Sequence, residues 1–442
     1  MSFHDDHGLA CTGADADSAT HYQRALHQFR CYIEDPVASV DAALALRPDF
    51  VMAHVLKAWL HLLGTEPAGM PVARECLAAA SRLPANARER GHLQAIGALV
   101  DGRFRQAGRV LEEVAIDHPT DALALQAGHL LDFYVGNARM LRDRIARALP
   151  AWSSAMPGYH AVRGMYAFGL EECGEYVSAE AHGRAAVEIE ARDGWAQHAV
   201  AHVMEMQGRE RDGIAWMRAD PAAWSTDSFF RVHNWWHLAL YHLELGEIDE
   251  VLALYDGPIR GERSTVILDM IDASAMLWRL HLRGIDVGTR WQQLAEDWAP
   301  FAAAGNYAFN DVHATMAFVG AGRFDLVDTV LETQRAAMQG EGDNPAFTRE
   351  VGQPLTRAIR AFGQRRYAET VRLIRDVREI AHRFGGSHAQ RSVLDLTLIE
   401  AALRDGQHAL AVALCNERVG TRPHSPLTRL LRQRAAPLRV AA

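Results

Sequence analysis

The sequence predicts an all-α protein, a solenoid of about ten helical hairpins, and three observations predict it. Apolar residues recur at threes and fours along most of the 442 residues. Apolar residues make up 49% of the chain, alanine and leucine are abundant, and strand-forming Val/Ile/Thr runs are scarce. A glycine returns at a nearly fixed interval, each time after an apolar stretch and before an amphipathic one. A single compact core rarely grows to this length, so either several domains or a repeat array is required, and the interval selects the array.

Residues 1–17 are small, polar and Asp-rich, and are expected to form a poorly ordered tail. From Ser18 onward, Tyr22, Leu26, Phe29 and Ile33 set the first helical stripe. Asp41 to Leu46 is a second helix stopped by Arg47-Pro48, and Ala122 to Phe133 follows a similar stop at Pro119. The recurring glycines are Gly64, Gly102, Gly136, Gly174, Gly208, Gly246, Gly284, Gly322, Gly363 and Gly406, at spacings of 38, 34, 38, 34, 38, 38, 38, 41 and 43. Each supplies the non-helical turn that ends one helix and starts its antiparallel partner. Such a period marks a tetratricopeptide-like α-solenoid, in which no hairpin buries its apolar stripe alone and neighbours stack into a continuous core. The array is expected over 18–345. Beyond Phe347 the spacing loosens, and 346–442 is expected to be helical repeats that close it. Tryptophans crowd the middle, from Trp195 to Trp298, where they are expected to fill gaps between repeats.

Composition excludes several functions. The formal net charge is -9 and no Lys/Arg cluster stands out, so nucleic acid is not an expected partner. Lys57 is the only lysine, and no Gly-rich loop adjoins it, which argues against Schiff-base and phosphate-loop chemistry. The five cysteines are scattered without a CxxC pair and read as reduced thiols in a cytoplasmic protein. No basic leader or run of about eighteen apolar residues is present, so neither export nor a membrane span is expected. Ser228, Ser264 and Ser274 lack a nucleophile-elbow context.

The chemistry-bearing residues are histidines in register with the repeat. His198 and His202 are four apart, as are His233 and His237, so each pair shares one helix face. Counted back from their turn glycines, His54 and His198 lie ten residues before, and His237 and His313 nine before. One turn earlier come His160, His233, Asp272 and Asn310, with Asp269 beyond, and Glu205 continues the stripe of His198 and His202. In a tetratricopeptide solenoid the first helices line the concave surface, which would gather His198, His202, His233, His237, Asp269, Asp272, Asp311 and His313 around one hollow. The ordinary reading of any single one is a hydrogen-bonded residue between helices. The aligned set points to a ligand pocket, and the two HxxxH pairs, His198/His202 and His233/His237, to a divalent metal ion, although the glutamate placement of HExxH is missing. Trp195, Trp235 and Trp236 would supply its apolar wall. Arg391 could bind an anion there, with a structural salt bridge as the ordinary account.

Together these residues resemble the tetratricopeptide repeat protein 38 family over most of the chain. The resemblance is carried by Trp195, His198, His202, Glu205 and Met206, by His233, Asn234, Trp236, His237 and Tyr241, and by Tyr255-Asp256. It continues in Leu268-Asp269, Asp272, Arg279, Gly288, Arg290-Trp291, Phe309-Asn310-Asp311 and His313, and ends in Val351-Gly352, Gly385-Gly386-Ser387, Ala389-Gln390-Arg391 and Ser425-Pro426-Leu427-Thr428. It implies an all-helical repeat fold and a cytoplasmic location, and it names no reaction. His388 and Ser392 depart from the family pattern, and His242 falls outside it.

Two function classes follow. The first is a small-molecule pocket working as a hydrolase or lyase. There His198, His237, Asp272, His313 and Glu205 do the catalysis, with a His/Asp base or a metal-activated water, and His202, His233, Asp269, Asn310, Asp311, Trp195, Trp236 and Arg391 bind the ligand. The second is a non-catalytic scaffold whose groove clamps a peptide or partner protein, as repeat folds commonly do. The spacing is equally compatible with a monomer and a homodimer.

Overall fold

The computed structural model describes residues 3–436, and they form an all-α helical-repeat protein. Helical hairpins follow one another: Val51–Leu62 with Gly69–Ala80, Ala87–Val100 with Phe104–Asp117, Ala122–Tyr134 with Ala138–Ala148, and Tyr159–Glu172 with Tyr176–Ile189. The series goes on through Gly194–Met206 with Glu210–Ala219, Arg231–Leu245 with Ile248–Leu254, Ile267–Leu282 with Arg290–Trp298, and Ala308–Gly320 with Phe324–Ala337. None of the described helices is long and apolar enough to cross a membrane.

The expected turn chemistry holds at most positions. Gly102, Gly136, Gly174, Gly208, Gly246, Gly284, Gly322 and Gly406 have φ between 64° and 81°, a region that costs a side-chain-bearing residue about 1–2 kcal/mol. At two turns the left-handed residue is another one, Thr65 (φ 55°) in place of Gly64 and Arg365 (φ 59°) in place of Gly363. Gly363 is instead the last residue of the Gln353–Gly363 helix, where a Cβ would stand 2.3 Å from Val319 Cγ1. Its glycine answers a close approach, which spacing alone does not distinguish from a turn.

Residues 3–17 correct the expectation of a poorly ordered tail. Phe3–His4 pairs antiparallel with Ala10–Cys11, and the Ala10 carbonyl accepts from Arg88 (2.9 Å) and Asn86 (3.0 Å). Asp15 then caps the Ala16–Cys31 helix in a reciprocal pair with Ser18. Composition could not show the buried arginine that receives this segment.

The chain divides into two compact units, Met1–Val203 with Asp220–Asn234 and Glu341–Asp343, and Met204–Ala219 with Trp235–Gly340 and Asn344–Ala442. In both units first helices such as Ala122–Tyr134 and Ala308–Gly320 are buried nearly all round, whereas second helices such as Phe104–Asp117 bury one stripe. Polar side chains on these first helices are therefore interior.

Gly322→Ala, in open space, should destabilise the protein by about 1–2 kcal/mol through backbone strain alone, whereas Gly64→Ala should be near neutral. Thermal melts of the two variants against the parent decide it.

Candidate functional site

In the first unit the site starts at a helix cap. Asp193 Oδ1 accepts from the Ala196 amide (2.9 Å), which fixes the start of Gly194–Met206, and Oδ2 accepts from His160 Nδ1 (2.7 Å). Trp195, His198 and His202 then follow along that helix. His198 Nε2 lies 3.1 Å from His233 Nε2, and ring nitrogens of His198, His202 and His233 all fall within 4.8 Å of one another. Two imidazoles on one tetrahedral zinc place their nitrogens roughly 3.3 Å apart, so the cluster has the spacing of a ligand set. His202 Nδ1 is 3.5 Å from Glu171 Oε2, and Glu171, Glu172 and His202 also converge within 4.8 Å.

Aromatic rings wall the cluster. Phe168 stacks on His198 with centroids 5.3 Å apart, Trp195 approaches it to 5.2 Å, and Phe230 lies 5.2 Å from His198 and 5.0 Å from His233. Tyr32 stacks on the far side of Trp195 at 5.7 Å. His129, on the edge of Trp195 and Phe168, is pushed down to about 3 by burial and then by the charge of Arg144.

The second unit arranges its own members. His237 Nδ1 is 3.3 Å from Glu205 Oε2, and Glu205 Oε1 accepts from Arg422 (3.2 Å). Arg279 lies over the Trp236 ring at 5.3 Å and donates to the Ala389 carbonyl (2.8 Å). Burial lowers Arg279 to about 10. His313 Nδ1 pairs with the Phe309 carbonyl (2.9 Å), and its ring stands near 4, lowered by burial, with Asp272 acting against the shift.

Several expectations need correction. The histidines were expected on an open groove, yet His198, His202, His233 and His237 are at most 5% exposed. Asp311 does not join them: its carboxylate accepts from Gln334 (3.2 Å), which also donates to Thr356 (3.0 Å), a separate seam between helices. Arg391 turns back onto the Gly386 carbonyl and His388 at the start of its own helix, the structural alternative to an anion site. Asp269, Asp272 and Asn310 are buried on their helices. Glu171, Phe168, Phe230 and Arg422 went unnoticed in the sequence. A signal existed for Glu171, which stands three residues before Gly174 as Glu205 does before Gly208.

The chain matches no protein-family model. It is similar to the crystal structure of yeast Tom70 at 12% identity, covering 95% of this chain and 94% of that one with a TM-score of 0.34. A human IFIT1 dimer with m7Gppp-AAAA is similar at 12% identity, over 96% and 94%, with a TM-score of 0.41. Naa15/Naa10 bound to HypK-THB is similar at 12% identity, over 94% and 70%, with a TM-score of 0.26.

Burial pushes Asp311 up to about 7, against an ordinary 3.8, so the folded state holds a proton that the unfolded chain releases. Its contribution is fully favourable below about pH 4 and is lost as pH rises through about 7. Asp311→Asn should therefore raise the melting temperature more at pH 8 than at pH 5, and equal shifts at both would contradict the assignment.

Proposed function

We propose that this chain is a member of the tetratricopeptide repeat protein 38 family that holds a divalent transition metal in its interior, with His198, His202 and His233 as ligands. The observation that carries the reading is the 3.1 Å approach of the His198 and His233 Nε2 atoms, with a His202 nitrogen within 4.8 Å. Imidazole suits zinc and its neighbours, and apolar walls exclude competing water. Glu171, 3.5 Å from His202 Nδ1, supplies a nearby carboxylate of the kind that supports histidine ligands. A bound metal with an open position would supply an activated water or polarise a carbonyl, the basis of a hydrolase or lyase. Trp195, Phe168 and Phe230 pack on its imidazoles, and Glu171 or Glu172, which converge with His202, would take a proton from a metal-held water.

A partner-binding role is the second reading, favoured by an open cleft of about 760 Å³ in the first unit, walled by His21, Arg24, Glu34, Asp35, Asp227 and Arg231. Its mixed charges suit a polar peptide rather than an apolar one.

The test is metal analysis of the full chain, purified without a histidine tag. Wild type should carry bound zinc and melt at lower temperature after chelation, and His198→Gln with His233→Gln should lose one equivalent and show a smaller chelator response. Unchanged metal content in the double variant would overturn the metal reading and leave the cleft.

A further inference from the structure

A second group of soft ligands lies in the first unit, on other helices. His27 and Cys31 are four apart near the end of Ala16–Cys31, and His160 stands near the start of Tyr159–Glu172. One ligand atom from each of the three lies within 4.8 Å of the others, and His27 Nδ1 is 3.9 Å from Cys31 Sγ. On a tetrahedral zinc, nitrogen and sulfur ligands stand roughly 3.5 Å apart, so a shift of about 1 Å completes the set. His27 is only partly buried, at the wall of a cavity, and has room for that movement.

The surroundings favour a metal over a fortuitous cluster. Asp193 accepts from His160 Nδ1 at 2.7 Å, which fixes the tautomer and leaves Nε2 with the lone pair, the carboxylate–histidine arrangement that supports metal ligands. Asp193 is itself held by its cap bond to the Ala196 amide, so the ring is oriented by the start of the next hairpin. The cavity, about 340 Å³, is lined by His27, His160, Arg30, Tyr159, Glu190 and Asp6. Arg30 is buried and donates to the carbonyls of Leu26 (3.2 Å) and Pro157 (3.4 Å), and the carboxylates of Asp6 and Asp5 act against the cost of burying its charge.

We propose that His27, Cys31 and His160 form a divalent transition-metal site of the Cys/His₂ class, distinct from the His198/His202/His233 cluster, with its fourth position open to this cavity. Coordination displaces the Cys31 thiol proton to solvent, so binding releases one proton and tightens as pH rises. Three protein ligands with an open position is the pattern of a site that acts on a bound molecule, whereas four protein ligands would make it purely structural.

Cobalt(II) reads this site apart from the other, because only here is a ligand sulfur. Added stoichiometrically to the metal-free full chain, it should give the near-ultraviolet thiolate-to-cobalt band. Cys31→Ser should abolish the band, and His27→Gln should weaken cobalt binding at least 10-fold. Asp193→Asn should keep the band and weaken binding about 10- to 100-fold, and His198→Gln should leave both unchanged. No band in the wild type, or one that survives Cys31→Ser, would overturn the proposal. Should Cys31→Ser fail to fold, unchanged cobalt affinity in His27→Gln would overturn it equally.

Discussion

Stacked hairpins bury the first helix of each unit between its neighbours, and every polar group on that helix must then find a partner inside the protein. Carboxylate–imidazole contacts recur between consecutive first helices, as hydrogen bonds in His92–Asp121 (3.0 Å) and His160–Asp193 (2.7 Å) and as longer approaches in His202–Glu171 (3.5 Å) and His237–Glu205 (3.3 Å). In two of them an Asp that caps the next helix does the holding, and in the other two a Glu near the end of the previous one. Helix capping and side-chain orientation are thus one piece of chemistry here.

The pairs differ in where their second ring nitrogen points. His92 uses both ring nitrogens, because Nδ1 accepts from Trp59 Nε1 (3.3 Å), an atom that can only donate, and Nε2 must then donate to Asp121. Arg88 completes that carboxylate at 2.9 Å, and the network closes on itself. It is structural in character. His160 has its Nδ1 taken and stands at a cavity wall, and His198 and His233 turn Nε2 toward each other. Histidines of similar burial therefore divide into those saturated by the fold and those whose nitrogens converge with other ligand atoms.

Other residues singled out in the sequence serve the fold. Arg290 forms a two-pronged pair with Asp256, its Nε 2.7 Å from Oδ1, beside the irregular turn Tyr255–Ile259 that contains Pro258. Gly386 passes so close to Phe309 that a Cβ would stand 2.5 Å from its ring, and Ser387 with Gln390 caps the helix whose first carbonyls receive Arg279. A distinctive motif in this protein is often a packing constraint.

The repeat was legible without coordinates because the glycine interval records a local requirement, one left-handed residue per hairpin, and local requirements are written residue by residue. The register of His198, His202, His233 and His237 was legible for the same reason, since a helix places residues four apart on one face. Tertiary structure alone decided what those residues meet: that the face is interior, that Asp311 turns to Gln334, that Glu171 and not an aspartate holds His202, and that residues 3–17 dock on Arg88. These contacts join positions from 23 to 78 residues apart, and no periodicity in a single chain encodes which side chains stacking will bring within a few ångströms.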